Sequence, residues 1–321
     1  MINGKIKDIL KKQHYILIGR HSAVQICNWT KKSLRNEGYC YKEKFYGICS
    51  HKCCQMSPYI VCQNKCLHCW RPIELDFGLK LKEKKIDDEK KIIEECIKAQ
   101  RKLLSGFKGY KNTDLKKWKE AQNPEQFAIS LIGEPTLYPK LAELIKELRE
   151  QKKTSFLVTN GLNPSALLNL KKKNALPTQL YLSLNTPNEK LYKIWHKSRL
   201  KNAWKIFNHT LKIFPKLPTR KVIRMTLVRN LNIKDEFIPE YANLIRKANP
   251  DFIEVKSYMS IGFSKKRLGY ERMPSHKEIK EFAFKLLNLL PGYKFLDEQV
   301  ISRVVLLGKD KRKMKIKKKE I

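Results

Sequence analysis

The sequence predicts an α/β fold, a partial (β/α)6 barrel of six parallel strands preceded by an N-terminal extension. Short β-branched and apolar runs alternate with segments of helical periodicity, a pattern typical of βα units around a parallel sheet. No glycine-rich dinucleotide fingerprint follows a strand, which favours a partial barrel over a doubly wound sheet. Cys62, Gly133, Asn160 and Asn185 follow predicted strands, where such folds carry their active-site loops.

The predicted strands are apolar runs of similar length: PYIV near residue 59, QFAISLI from 126, TSFLVTN from 154, QLYLSLN from 179, KVIRMTLV from 221 and DFIEVKSYM from 251. The predicted helices between them include PKLAELIKELREQKK, PSALLNLKKKN and EFIPEYANLIRKA. A further helical pattern, KKIIEECIKAQRKLL, contains Cys96, which we interpret as a small buried hydrophobic residue.

Three segments are predicted along the chain. Residues 1–55 form the extension, residues 56–308 the barrel, and residues 309–321 a basic tail, KDKRKMKIKKKEI. The tail has little to bury, so we expect a solvated arm, with RNA contact as a second role.

The charge balance points to a polyanionic partner. Lys and Arg number 68 against 31 Asp and Glu, a formal net charge of +37, and nucleic acid is the commonest partner of such proteins. A lysine-rich surface without a binding role is the alternative. No segment is apolar enough to span a membrane, and MINGKIKDILKKQHY lacks a signal-peptide core, so we expect a cytoplasmic protein with reduced thiols.

Three cysteines in CQNKCLHCW, at Cys62, Cys66 and Cys69, predict a metal centre. Three thiolates can hold a [4Fe–4S] cluster and leave one iron open. A zinc site completed by His68 or His51 is the alternative. The spacing, with Trp70 after it, resembles the signature of the radical S-adenosylmethionine (SAM) superfamily, which implies a radical-SAM barrel whose open iron binds SAM and cleaves it to a deoxyadenosyl radical.

The loops that end the next strands resemble the cofactor-binding motifs of the same superfamily. In ISLIGEPTLYP, Gly133 allows a close approach of the backbone to a ligand, and the resemblance implies that Glu134 binds the amino group of SAM. It also implies that Asn160, in FLVTNG, and Ser183 and Asn185, in YLSLNTP, face the ribose and carboxylate of SAM. An ordinary polar strand end is the alternative for each residue.

Upstream, Cys27, Cys40 and Cys53 are separated by thirteen residues twice. They could bind a second cluster through three ligands. Spacing alone leaves Cys49 and Cys54 open as ligands, because both flank Cys53.

Together the motifs resemble the archaeal tRNA 4-demethylwyosine synthases. The matches lie between Cys27 and His276 and comprise CYKEKFYGICSHKC, CQNKCLHCWRP, SLIGEPTLYP, FLVTNG, RMTLV and FIEVKSYMSIGFSKKRL. The resemblance favours Cys27, Cys40 and Cys53 as ligands of the second cluster.

This resemblance implies a carbon–carbon lyase that condenses 1-methylguanosine, next to the anticodon of tRNA(Phe), with pyruvate to form 4-demethylwyosine. It implies two [4Fe–4S] clusters, one binding SAM and one binding pyruvate, and a Schiff base between Lys42 and pyruvate. The sequence has no flavodoxin-like segment, so we expect a separate electron donor.

Two alternative functions are considered. A different radical SAM enzyme, such as a glycyl-radical activase, would explain the Cys62–Cys69 motif but neither the upstream cysteines nor the charge. A zinc-stabilised RNA-binding protein would explain charge and cysteines but not GEPTLYP.

Overall fold

The structure is a computed structural model that describes residues 2–80, 85–317 and 320. The strands found in these residues form one sheet, in the order β1-β2-β3-β4-β5-β6-β7-β8-β10-β9. They are β1 (Ile16–Ile18), β2 (Ser22–Gln25), β3 (Cys53–Ser57), β4 (Gln126–Ile129), β5 (Thr154–Thr159), β6 (Gln179–Ser183), β7 (Arg220–Leu227), β8 (Phe252–Ser257), β9 (Lys294–Gln299) and β10 (Val304–Gly308).

The helices of the described residues cover mainly the outer face of this sheet. They are α1 (Gly4–Lys12), α2 (Asn28–Leu34), α3 (Tyr41–Tyr46), α4 (Glu89–Leu104), α5 (Leu115–Ala121), α6 (Leu141–Glu150), α7 (Pro164–Lys172), α8 (Glu189–His196), α9 (Ala203–Ile213), α10 (Ile238–Ala248), α11 (Ser264–Leu268) and α12 (His276–Leu287). Cys96 is fully buried on α4, as predicted.

The prediction of six parallel strands is confirmed, since β3 to β8 pair in parallel throughout. The position of the first strand is wrong. It is CCQMS, residues 53–57, and the predicted PYIV run lies beyond its end. Pro58 has no N–H for a strand ladder, and the Ile60 N–H donates to the carbonyl oxygen of His21 instead.

Antiparallel strands that the sequence analysis missed extend both edges of the sheet. At one edge, β2 pairs with β3 and brings Ala23 opposite Ser57. At the other edge, β10 pairs with β8 and with β9. The boundary drawn between residues 55 and 56 therefore cuts through β3, and the extension shares the sheet of the barrel.

The inner face of the sheet is closed by helix α3. Along β6, Leu180 and Leu182 face the outer helices, whereas Tyr181 faces inward and packs in one cluster with Phe45 and Tyr46 of α3. Gly47 ends α3 with a φ of 79°, a conformation that glycine adopts without strain. The helix thus lies inside the partial barrel, beneath the carboxyl ends of the parallel strands.

The basic tail is exposed at most of residues 309–317 but is anchored to the barrel near Met314. Met314 is buried in the inner cluster, and the Arg220 guanidinium donates to the carbonyl oxygens of Lys313 and Met314, each at 2.7 Å. The Ile316 N–H donates to the carbonyl oxygen of Tyr46. One apolar side chain and satisfied backbone groups hold this basic segment against the barrel.

Within the described ranges, no helix has the length and apolar character needed to cross a membrane.

Candidate active site

A cavity of about 230 Å³ lies at the carboxyl ends of β4 to β8. The thiols of Cys62, Cys66 and Cys69 line it. All six residues predicted to bind the cofactor also line it: Trp70, Gly133, Glu134, Asn160, Ser183 and Asn185. Residues that are distant in sequence therefore meet at the carboxyl ends of the parallel strands.

Arg71 organises the loop that carries the three cysteines. Its buried guanidinium donates to Cys69 Sγ at 3.2 Å, and to the carbonyl oxygens of Asn64 at 3.0 Å and Ile60 at 3.5 Å. Burial raises the pKa of the Cys62 thiol to about 11, and the charge of Arg71 opposes this rise. Iron bound at these sulfurs would supply the positive charge that thiolates need in this buried place.

The donor set fits a cubane cluster better than a single ion. Across the part of the chain that the structure describes, no three His, Cys, Asp or Glu side chains converge where one metal ion could be held. A tetrahedral zinc requires such convergence, whereas a cubane takes each thiolate on a different iron. The histidines proposed for zinc have other partners: Trp195 Nε1 donates to His68 Nδ1 at 2.8 Å, and His51 Nε2 lies 2.7 Å from Glu120 Oε2.

The carboxylate of Glu134 is buried and accepts four hydrogen bonds from the protein itself. Oε1 accepts from the Thr136 N–H, the Thr136 hydroxyl and the Thr159 hydroxyl, and Oε2 accepts from the Asn160 N–H at 2.8 Å. Burial raises the pKa of Glu134, and these donors oppose the rise. The side chain therefore links the loop after β4 to the end of β5 and sets the position of Asn160 beside Cys62.

Gly133 approaches backbone rather than open space. Its φ is 80°, and a Cβ built there would lie 2.1 Å from the carbonyl oxygen of Tyr59 and 2.6 Å from the carbonyl carbon of Ile60. The Glu134 N–H also donates to the carbonyl oxygen of Val61 at 2.8 Å. Glycine is needed here because two loops of the site touch through their main chains.

The predicted residues on β5 and β6 differ in their surroundings. Asn160 Nδ2 lies 3.5 Å from Cys62 Sγ and 3.4 Å from the side-chain oxygen of Gln63. Asn185 is buried, and its Oδ1 accepts from the Thr226 N–H at 3.1 Å, which ties the end of β6 to β7. Ser183 is half-buried at the cavity wall.

Cys27, Cys40 and Cys53 lie near enough for their thiols to interact electrostatically. Burial raises the pKa of Cys40 to about 12, and the charge of the Cys27 thiol is the second-largest cause of this rise. The pKa of Cys53 is also raised, and burial and the charge of Cys27 are again the two largest causes. Cys27 and Cys40 directly precede α2 and α3, and Cys53 begins β3.

Cys54 and Cys49, the two alternative ligands, have different surroundings. Cys54 faces the opposite side of β3, where the buried Cys96 is its leading charge neighbour. Cys49 is exposed beside Lys52. The charge of Cys27 is thus the leading one on both Cys40 and Cys53, whereas Cys54 has Cys96 and Cys49 has Lys52 as its leading charge neighbour.

Lys42 extends from α3 into the barrel interior. Its amine lies 5.2 Å from the ring centre of Phe156 and 4.9 Å from that of Tyr181. Burial lowers the pKa of Lys42, and the charge of Arg224 lowers it further. Lys44 lies outside, where its Nζ contacts Asp297 Oδ1 at 2.8 Å and the carbonyl oxygen of Glu298 at 2.6 Å.

Three inward-facing charged residues next to Lys42 escaped the sequence analysis: Arg224 on β7, and Glu254 and Lys256 on β8. Glu254 is fully buried and accepts from the hydroxyls of Tyr41 and Tyr46, at 2.9 and 2.8 Å. Burial, followed by the charge of Arg224, lowers the pKa of Lys256 to about 8. Glu254 and Lys256 occupy alternate positions of an otherwise apolar strand, and alternate residues of a strand face the same side of a sheet. This pattern is the sequence signal that could have predicted charged groups inside the barrel.

Two basic segments, residues 264–268 and residues 195–205, contact the cysteine loop. The Arg267 guanidinium donates to the carbonyl oxygens of Leu67 and Cys69 and pairs with Glu74 at 2.8 Å. The backbone carbonyl of Trp195 accepts from the Leu67 N–H. Arg267 is therefore occupied within the protein, whereas Lys265 and Lys266 on the same helix are exposed.

Comparison with known proteins agrees with this geometry. A family model described as the radical SAM superfamily matches residues 56–242, more than half of the chain, and one described as wyosine base formation matches residues 247–309. The S-adenosyl-L-methionine-dependent tRNA 4-demethylwyosine synthase of Pyrococcus horikoshii is 46% identical over 308 residues, which cover 95% of this chain and 89% of that protein. The chain belongs to the tRNA 4-demethylwyosine synthases.

Other tRNA 4-demethylwyosine synthases match over nearly the whole length. The enzyme of Methanocaldococcus jannaschii is 38% identical, covering 98% of this chain and 99% of that one. A solved structure of TYW1 with a lysine–pyruvate adduct bound is 36% identical with a TM-score of 0.86, and the match covers 99% of both chains. A crystal structure of archaeal TYW1 has a TM-score of 0.77 at 34% identity and covers 96% of this chain and 97% of that one.

Membership sets aside the glycyl-radical activase and the zinc-stabilised RNA-binding protein. It also brings SAM and a [4Fe–4S] cluster as the cofactors of the radical SAM family.

Proposed function

We propose that this chain condenses 1-methylguanosine, next to the anticodon of tRNA(Phe), with pyruvate to form 4-demethylwyosine, as a carbon–carbon lyase. The observation that carries the proposal is the position of the Lys42 amine. It lies inside the barrel and interacts with the charges of Cys40 and Cys53 and with that of Arg224, a residue of the cavity wall.

In this proposal, Cys62, Cys66 and Cys69 hold the cluster to which SAM binds. When bound, SAM and this cluster supply the radical that removes a hydrogen from the N-methyl group of the substrate. Trp70, Gly133, Ser183 and Asn185 form the walls of the cofactor pocket, and Glu134 holds Asn160 in place.

Lys42 is the proposed catalytic residue. Its neutral amine would add to the C2 carbonyl of pyruvate, and loss of one water would leave a C=N bond that anchors the two-carbon donor. The lysine–pyruvate adduct bound to TYW1, a relative of the same fold and length, supports this assignment.

Cys27, Cys40 and Cys53 are the proposed ligands of a second [4Fe–4S] cluster. A cluster held by three thiolates would keep one iron without a protein ligand and would supply Lewis acidity near Lys42, whose amine interacts with Cys40 and Cys53. The electron for the reaction would come from a separate donor.

The charge and the cavity mouth support tRNA as the partner. The Phe263 N–H donates to the carbonyl oxygen of Trp70, so the loop that precedes α11 lies against the cysteine loop. Lys265, Lys266 and Tyr270 are exposed on this segment. Lysines suit phosphate contacts, and exposed aromatic rings suit the unstacked bases of an RNA loop.

The experiment compares Lys42→Arg with Lys44→Arg in protein with reconstituted clusters. Borohydride and labelled pyruvate should fix the label to the peptide with Lys42, and Lys42→Arg should lose both label and product while keeping its iron. Lys44→Arg is the matched control, since its amine lies outside the barrel, and should retain both. Undiminished formation of 4-demethylwyosine by Lys42→Arg would refute the covalent role.

A further inference from the structure

Basic side chains from three elements meet in the barrel interior above helix α3: Lys42, Arg224 and Lys256. Among the described residues, Glu254 is the carboxylate that faces them. Its oxygens accept from two tyrosine hydroxyls, and its Oε2 lies 3.7 Å from Arg224 Nε. This shared carboxylate pairs with the Arg224 guanidinium through Nε.

A guanidinium with unused donors inside a barrel has a physical cost unless a ligand accepts from it. A buried charge is unfavourable without a partner, and unused guanidinium donors add to that cost. In the described part of the chain, the terminal nitrogens of Arg224 donate no hydrogen bond, and its ion pair with Glu254 runs through Nε. Lys256 Nζ donates to the carbonyl oxygen of Ser302 at 2.6 Å, a neutral partner.

Both cationic groups face the place where a ligand would sit. Arg224 and Lys256 line the cavity that contains the cysteine loop, and both interact electrostatically with Lys42. The Arg224 side chain retains 24% of its accessible surface. Its free donors are thus open to the cavity and adjacent to the lysine that the proposed function assigns to pyruvate.

We propose that Arg224, together with Lys256, binds the carboxylate of the 2-oxo acid whose C2 carbonyl reacts with Lys42. This inference rests on the proposed function. In a 2-oxo acid the carboxylate is bonded directly to C2, so a carboxylate site must lie beside the amine that attacks C2. A planar guanidinium with two parallel N–H groups matches the two carboxylate oxygens.

The test measures the borohydride-trapped adduct by peptide mass as a function of pyruvate concentration, in protein with reconstituted clusters. For Arg224→Gln, the half-saturating concentration should rise roughly 10- to 100-fold, since loss of a charged partner weakens binding by that order. Wild type should prefer pyruvate to methyl pyruvate, which lacks the negative charge, and Arg224→Gln should lose this preference. Lys44→Gln, the control outside the barrel, should change neither quantity.

SAM also carries a carboxylate, so SAM affinity is measured in parallel by equilibrium dialysis. It should change by less than about twofold in Arg224→Gln. Weakened SAM binding with an unaltered pyruvate response would assign the carboxylate to SAM and overturn the inference. An unchanged preference for acid over ester would also overturn it, since the cations would then only balance charge within the protein.

Two further outcomes are informative. If Arg224→Gln loses its iron, Lys256→Gln on the neighbouring strand provides the same test with a separate variant. If wild type forms no adduct at all, the proposed role of Lys42 fails, and this inference fails with it. A normal wild-type adduct with an unresponsive Arg224→Gln and Lys256→Gln refutes the inference alone.

Discussion

Replacing Gly133 by Ala tests how the cysteine loop and the loop after β4 depend on each other. The added Cβ would lie 2.1 Å from the carbonyl oxygen of Tyr59, about 1.3 Å short of the 3.4 Å at which ordinary contact begins. The neighbouring atoms belong to backbone, so no side-chain rotation can relieve the clash. The main chain two to three residues before Cys62 must move.

The expected cost has two parts. A left-handed conformation costs a non-glycine residue about 1–2 kcal/mol, and forced overpacking typically costs about 1–3 kcal/mol more. A loss of about 3 kcal/mol would lower the urea midpoint by roughly 1 M for a protein of this size. Because the shift is transmitted towards Cys62, Gly133→Ala should also retain less iron than wild type.

The assay combines urea unfolding, followed by circular dichroism, with iron analysis. Gly106→Ala is the matched control, since a Cβ there meets nothing within 4 Å, and should stay within about 0.5 kcal/mol of wild type. An unchanged urea midpoint for Gly133→Ala would refute the argument. If that variant instead bound SAM poorly at full stability, the glycine would serve ligand approach, as the sequence alone suggests.

Two further predictions concern the second cluster and the pH dependence of stability. Cys53→Ala should lose roughly four irons per chain, whereas Cys54→Ala, on the opposite face of β3, should keep them. Iron and sulfide analysis after anaerobic reconstitution measures the difference. Equal iron in both variants would contradict the proposed ligand set. The Arg229 guanidinium lowers the pKa of Glu278 from 4.5 to about 2. The ionised Glu278 carboxylate therefore stabilises the fold fully above pH 4.5, and this contribution disappears as the pH falls towards 2. The difference in urea midpoint between wild type and Glu278→Gln should therefore be full at neutral pH and vanish near pH 2; a difference independent of pH would contradict it.

Local patterns predicted much of the fold. The periodicity of five of the six parallel strands is visible in the sequence because each is an apolar run between polar turns, and such a pattern depends on nearest neighbours along the chain. The first strand was misplaced because CCQMS is only partly apolar and PYIV resembles a strand better. Among the antiparallel strands that were missed, β1 and β2 are short and β9 is only partly apolar, whereas β10, VVLLG, is a buried apolar run that the sequence does contain.

The misplaced strand also explains an ambiguity among the cysteines. Adjacent residues of a strand face opposite sides, so the alternation of β3 separates Cys53 from Cys54. Because the sequence pattern placed the first strand near residue 59, this alternation could not be used to distinguish Cys53 from Cys54. Only the position of β3 in the sheet directs one thiol to the Cys27 and Cys40 side and the other to Cys96.

The sequence by itself determined that the thiols of Cys62, Cys66 and Cys69 lie near one another, because three residues within a span of eight stay close in any compact loop. Tertiary structure decided what surrounds Lys42. Arg224 and Lys256 lie about 180 to 210 residues further along the chain, and only closure of the barrel around α3 brings their charges to its amine. It also decided that the Glu134 carboxylate accepts from Thr136, Thr159 and Asn160, since a hydrogen bond depends on the direction of atoms that sequence spacing does not specify.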